Sequence, residues 1–416
     1  MGQKASKKEP ERGSRFYEEQ RFEEAIEDWK SIISKKSSVN DKFTLYGQIC
    51  RSYLDIGNTA DALDFAKKQM ELANNQNKDI MKSEAFFHLA ICNEMISEFS
   101  KSIAFCRNSL QIVESENPLE GYLHLCMGNS FVGLSEFRKA WTSYKRAEET
   151  FESSRDHQLE ILVNTKLGMM FTMLKDFDTG VEYIYKAWNI VSQLKDNDPN
   201  IKYRRLVGAC LAVPYRNTGK YKDSSDLTED AMKVAMLYND IVVQVKCMVL
   251  FADIHRSRGD NERSIPRYES ALSLLEQIGD RVGQADVLLG MAKAHKNMSD
   301  PEQAIQLSTK ALDIAKKIGN KLQMLRCHAI LKFLYFETRD TTLSSRHHTL
   351  VKQLADETDL YCSVCDQLMG KEAETLIVLF CGHFTHARCT ISRLHHTCVI
   401  CERKPNIDVY KTLIDD

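Results

Sequence analysis

The chain has 416 residues, 43% hydrophobic and 27% charged, with seven prolines and a formal net charge of −2. This balance excludes a disordered polar chain and gives no electrostatic reason to bind nucleic acid, and no apolar run is long enough to span a bilayer. Seven of the thirteen cysteines are scattered through helical sequence, whereas six crowd between Cys362 and Cys401 among histidines, a pattern of metal binding in a reducing compartment rather than of disulfides.

Residues 1–15 begin Met1-Gly2-Gln3-Lys4-Ala5-Ser6, which fits the rule for myristoylation of Gly2 once the methionine is removed. One myristoyl chain binds membrane only marginally, at about 10⁴ M⁻¹, and needs a second signal. Lys4, Lys7, Lys8, Arg12 and Arg15 supply it, opposed by Glu9 and Glu11. Each basic residue near an anionic leaflet adds roughly 1 kcal/mol. The segment reads as a reversible anchor on the anionic inner leaflet of a membrane.

From residue 16 to 320 one frame recurs. Small residues stand at Ala25, Ala62, Ser102, Ala140, Gly180, Ser224, Ser264 and Ala304, spaced thirty-seven to forty-four places apart. Gly128, Gly168, Ala212, Ala252 and Ala292 stand twelve places before this marker, and Ala147, Ala187, Ala231, Ala271 and Ala311 seven after it. Small residues at these positions let paired helices approach closely, while aromatics such as Phe131 and Tyr144 fill the space between pairs. This is the tetratricopeptide pattern, a helix–turn–helix that buries its apolar face only by stacking. Gly57, Gly219 and Gly259 fall where the first helix should end in a left-handed residue. The expected fold is therefore all-α: a superhelical solenoid of about eight hairpins. The third copy is degenerate, Pro214 should kink the first helix of the sixth, and the polar stretch 195–200 is the expected site of a bend.

Such solenoids bind proteins along a concave face lined by first helices. Its positions in the last three copies are Val213 and Arg216, Asp253 and Arg256, Lys293 and Lys296. Four of the six are basic, so Arg216, Arg256, Lys293 and Lys296 are the candidate groove residues for an acidic or amphipathic helical partner.

Residues 321–360 continue with apolar residues at helical spacing (Leu322, Leu325, Ala329, Phe333, Phe336), and Leu343 and Leu350 lie one heptad apart. They read as a capping or linker helix with a short coiled-coil-like seam. Residues 361–404 then supply eight ligands in the order C-x₂-C-x₁₅-C-x-H-x₂-H-x₂-C-x₈-C-x₂-C, the order of a RING-H2 finger; residues 405–416 form a tail. Zinc takes four tetrahedral N or S ligands, and Cys-x₂-Cys presents two thiolates from one tight turn. With the alternation usual in RING domains, one zinc takes Cys362, Cys365, His386 and Cys389, and the second takes Cys381, His383, Cys398 and Cys401. Both sites are closed, so neither ion is catalytic and no catalytic residue is assigned. Val364 matches the apolar contact through which RING fingers dock conjugating enzymes. Arg393, Val399 and Glu402 depart from the other docking positions, so a membrane-tethered ubiquitin ligase with the repeats as substrate adaptor is the alternative reading.

The order of Gly2 signal, long-period repeats, short linker and terminal RING-H2 resembles the rapsyn family of synaptic scaffolds, as does the segment Phe251-Ala252-Asp253-Ile254-His255-Arg256-Ser257-Arg258-Gly259-Asp260. The resemblance implies a non-enzymatic protein on the cytoplasmic face of the postsynaptic membrane. It also implies clustering of nicotinic acetylcholine receptors through their cytoplasmic loops, self-association through the repeats, and links to the cytoskeleton.

Overall fold

Aspartates punctuate the sequence just ahead of its apolar helical stretches, and each does the same local job. Asp156, Asp176, Asp240, Asp260, Asp280, Asp300 and Asp340 are N-caps whose carboxylates accept a backbone N–H three places on. That satisfies one of the orphan donors at each helix start. The computed structural model describes residues 9–390 apart from 36–37, 114–116, 196–197, 359, 363, 366, 371 and 380–381. Gly2 lies outside the described residues, as do Cys381, Cys398, Cys401 and the tail 405–416.

Nine antiparallel hairpins follow one another. They are α1 (Glu9–Glu18) with α2 (Phe22–Ser34), α3 (Val39–Asp55) with α4 (Thr59–Gln76), α5 (Asp79–Met95) with α6 (Phe99–Leu110), α7 (Leu119–Gly133) with α8 (Phe137–Ser154), and α9 (His157–Met173) with α10 (Phe177–Gln193). After them come α11 (Tyr203–Asn217) with α12 (Tyr221–Leu237), α13 (Ile241–Ser257) with α14 (Asn261–Ile278), α15 (Arg281–Asn297) with α16 (Pro301–Ile318), and α17 (Lys321–Glu337) with α18 (Thr341–Glu357). Every hairpin turns on one left-handed residue: Gln20, Gly57, Ser97, Ser135, Lys175, Gly219, Gly259, Ser299 and Arg339. First helices of neighbouring hairpins pack on one another more than second helices do, so the stack curves with the first helices inside.

The marker residues are where hairpin partners meet. Ala25, Ala62, Ser102, Ala140, Ser224, Ser264 and Ala304 are fully buried. Gly168 shows why small residues are required. A β-carbon there would lie 2.6 Å from the Gly180 carbonyl oxygen and 2.5 Å from Ile184 Cγ1, so α9 and α10 cross backbone to backbone.

Three expectations change. The segment 321–357 is a ninth hairpin rather than a single helix, and α18 turns its buried Leu354 and half-buried Leu343 and Leu350 into the fold. The helix α11 carries Pro214 in its last turn, gives up the one bond that the missing N–H would make, and still continues to Asn217. The expected bend instead holds a 3₁₀ turn, Pro199–Lys202, whose Lys202 ammonium is 3.2 Å from Asp55 in the second hairpin.

That last contact belongs to a series. Arg205 donates to Gln20, Thr59 Oγ1 to the Ile278 carbonyl at 2.5 Å, Arg281 to the Ile96 carbonyl at 2.7 Å and to Glu98, and Ser135 Oγ to Asn320. Arg205, Arg281 and Ser135–Asn320 join the turn of one hairpin to the entry of the hairpin five further on, Thr59 reaches the end of the seventh hairpin from the turn of the second, and Lys202 ties the entry of the sixth to the second. The solenoid thus completes a superhelical turn and rests on itself.

In the ninth hairpin His328 Nδ1 and His347 Nδ1 are 2.7 Å apart, with Tyr335 stacked on His347. Burial, then His347, Lys316 and Arg346, bring His328 down to about 4. Burial and the same cationic neighbours lower His347.

Two outcomes follow for stability. Gly168→Ala should destabilise the protein by about 1–3 kcal/mol in chemical denaturation, as overpacking does. Because His328 titrates lower folded than unfolded, the unfolded chain binds more protons between about pH 6.5 and 4. Stability should be complete above that window and lost as pH falls through it, with His328→Phe flattening the slope of Tm against pH.

Candidate metal centre and the inner face of the solenoid

After α18 the chain makes a short antiparallel pair, β1 (Leu376–Val378) with β2 (Phe384–His386), and a turn of helix, α19 (Ala387–Thr390). The strands bring the two halves of a ligand set together. Ligand atoms of Cys362, Cys365, His386 and Cys389 all lie within 4.8 Å of one another. His386 Nδ1 is 3.4 Å from Cys365 Sγ and 3.9 Å from Cys389 Sγ, while its Nε2 is 3.7 Å from Glu374. A ligating histidine with its outer nitrogen toward a carboxylate is fixed in tautomer and orientation. The Cys362 sulfur accepts from the His386 amide at 3.4 Å and contacts Thr385 Oγ1 at 3.2 Å. Burial raises the Cys362 thiol, but these contacts outweigh it and bring the thiol down to about 6. Burial and the adjacent cysteines push Cys389 up to about 12. One nitrogen and three sulfurs in this arrangement fit a soft, tetrahedral metal ion.

Of the second expected set only His383 is described. It is buried, with Nε2 3.2 Å from Arg138 Nη1 on α8. Val364 is half-buried and packs against the apolar cluster that this module shares with hairpins three to five.

The module sits on the fourth and fifth hairpins. The Leu376 amide donates to Asp176 Oδ2 at 2.8 Å, Phe384 meets Phe171 edge-on at 6.2 Å, and a β-carbon at Gly370 would lie 3.3 Å from the Leu174 carbonyl. Asp176 does double duty, since its other oxygen caps α10 through Thr179. Nothing in the sequence marked Asp176 or Arg138 as docking residues, because caps and helix-surface arginines are common.

The four groove candidates lie on first helices, in unlike settings. Arg216 Nη1 is 3.1 Å from Asp253 Oδ2, and Arg256 Nη2 is 3.1 Å from Asp253 Oδ1. Tyr268 donates to the same carboxylate at 2.5 Å. Burial opposes ionisation of Asp253, but Arg216 and Arg256 outweigh it and hold the carboxyl below its ordinary value. Lys296 Nζ lies 3.7 Å from the centre of the Phe333 ring. Burial, then Arg256 and Arg326, bring Lys293 down to about 8.

Together these features define a tetratricopeptide solenoid with a docked C-terminal Cys/His cluster. A family model described as the rapsyn N-terminal myristoylation and linker region matches residues 1–79, and a tetratricopeptide-repeat model matches 246–317. The chain is 30% identical over 405 residues to the 43 kDa receptor-associated protein of the synapse of Tetronarce californica, and 37% identical over 406 residues to that of Gallus gallus. Each alignment covers 97% of this chain and 98% of the relative. The chain therefore belongs to the rapsyn family. Among solved structures, a Rap protein complexed with competence and sporulation factor is similar at a TM-score of 0.58 and 13% identity, over 77% of this chain and 88% of that one. The apo quorum sensor NprR of B. thuringiensis is similar at 0.52 and 14%, over 84% and 98%. At such identity they share the fold alone.

Chelation of bound metal, or Cys362→Ser, should expose residues 360–390 to protease while leaving the helical circular dichroism nearly intact. Asp176→Ala should keep the metal content but raise hydrogen exchange at the Leu376 amide, at a cost of about 1 kcal/mol from the lost cap.

Proposed function

We propose that this chain is a peripheral membrane scaffold that clusters nicotinic acetylcholine receptors at the postsynaptic membrane and links them to the cytoskeleton. The observation that carries the reading is the end-to-end alignment with two receptor-associated proteins of the synapse. The solenoid and the Cys/His cluster fall within that alignment, and the lipid signal falls within the family-model match over residues 1–79.

In this reading Gly2 is myristoylated and the adjacent lysines hold the chain on the anionic cytoplasmic leaflet. The match of residues 1–79 to a myristoylation-region model supports this, and no described helix is long and apolar enough to cross a membrane. The solenoid self-associates and binds receptor cytoplasmic loops, with Arg216, Arg256, Lys293 and Lys296 on its inner face. The metal is zinc: one ion on Cys362, Cys365, His386 and Cys389, a second on Cys381, His383, Cys398 and Cys401, each structural. A bound ion would fold the terminal module and keep it seated on hairpins four and five, because closed sites of this kind contribute folding energy directly. Several weak contacts on one membrane raise effective concentration without any strong single site.

Co-expression with a nicotinic receptor in non-muscle cells tests this. Receptors should gather into membrane patches with the intact chain and stay diffuse with Gly2→Ala. Diffuse receptors beside membrane-bound intact protein would overturn the receptor assignment.

A further inference from the structure

The inner face repeats as rungs. A basic residue on one first helix stands thirty-seven places before a residue of the next: Arg216 before Asp253, Arg256 before its electrostatic neighbour Lys293, and Lys296 before Phe333. The first rung is an ion pair at 3.1 Å and the third a cation–π contact at 3.7 Å. The middle rung sets two cations against each other. Arg256 escapes by turning back three residues to Asp253, which then serves Arg216, Arg256 and Tyr268 at once. Lys293 has no hydrogen bond or ion pair among the described residues. The electrostatic neighbours of its ammonium are Arg256 and Arg326, which lower it, and Asp253 and Asp286, which raise it. Arg326 is itself committed to the Met173 carbonyl at 3.2 Å. Two carboxylates thus stand among four cations, Arg216, Arg256, Lys293 and Arg326, and one of the two is already shared.

We propose that the Arg256–Lys293 rung binds a carboxylate side chain of an acidic peptide segment lying along the inner face. The bound carboxylate supplies the acid that Asp253 supplies on the preceding rung, and it relieves the like-charge contact that the free protein carries. A peptide is favoured over a small anion because the rung lies on a continuous row of first helices, where neighbouring side chains of a segment find further contacts. This inference rests on reading the solenoid as a binding scaffold, but its test uses purified full-length protein and is indifferent to membranes and receptors.

The probe is fluorescein-labelled hexaglutamate, followed by fluorescence anisotropy, with inorganic phosphate as competitor. Saturable binding should weaken at least tenfold in Lys293→Glu. That variant places an acid opposite Arg256 and completes the ladder within the chain, so its Tm should rise as its binding falls. Hexaglutamate should also shield Lys293 from acetylation by an N-hydroxysuccinimide ester at pH 8, read by mass spectrometry, at concentrations where phosphate does not. Native-like binding by Lys293→Glu overturns the proposal, as does phosphate that shields Lys293 as well as the peptide does. Should Lys293→Glu fail to fold, Lys293→Gln and the shielding measurement on the native chain decide the matter.

Discussion

The structure depends on how helix ends are satisfied across one turn of the superhelix. A helix leaves its last carbonyls without partners, and a buried carbonyl without a donor costs about 1–3 kcal/mol. Here the donors come from a hairpin four or five units away. The Ile96 carbonyl, just past α5, takes both Nε and Nη2 of Arg281, and the last carbonyl of α9, Met173, takes Arg326. In the reverse direction Thr59 serves Ile278 at the end of α14. Cationic donors also suit the negative end of the helix dipole. The left-handed residue in each hairpin turn swings the chain sharply away, leaving these groups open to the next superhelical turn. Pitch and closure follow from this mutual capping.

The hairpin units were legible in the sequence because their constraint is local: two backbones crossing closely admit only small residues, and those recur at a fixed spacing. The turns were half legible. Glycine betrayed Gly57, Gly219 and Gly259, but Gln20, Ser97, Ser135, Lys175, Ser299 and Arg339 hold the same conformation without it. Left-handed backbone costs a residue with a β-carbon roughly 1–2 kcal/mol, which packing overrides. The ninth hairpin was missed although it kept one signal. Ser344 stands forty places after Ala304 and donates to the Lys332 carbonyl twelve places before it, as Ser224 does to Ala212. Its flanking small positions are Lys332 and Val351, and without them the marker alone looked accidental. The contacts between superhelical turns left no pattern, since ordinary polar residues 147 to 219 places apart make them.

At the candidate site, the spacing of Cys362, Cys365, His386 and Cys389 pointed to a set that the strand pair does assemble, because metal-ligand geometry is short-range and stereotyped. The outer partner Glu374 and the docking residues Asp176 and Arg138 were not legible, their roles being fixed only by where the module comes to rest. On the inner face the sequence exposed the basic positions but not their balance. Asp253 lay in the same row of residues, yet that it would answer two arginines and a tyrosine depends on side-chain reach rather than on register.

The seat of the module continues the logic of the superhelix. The turns of hairpins one to four rest on the entries of hairpins six to nine, and the turn of hairpin five, Leu174 to Asp176, rests on Gly370 and Leu376. The Cys/His module therefore stands to the fifth hairpin as the ninth does to the fourth. An open repeat array has contacts only between neighbours, so its ends fray independently. Closure after four or five units adds contacts across 147 to 219 residues of chain, and loss of one hairpin withdraws donors from another far away in sequence. The array should then unfold as larger cooperative units. Because the module is bound to hairpins four and five, the free energy with which a metal ion folds it is shared with the middle of the solenoid rather than confined to the end of the chain.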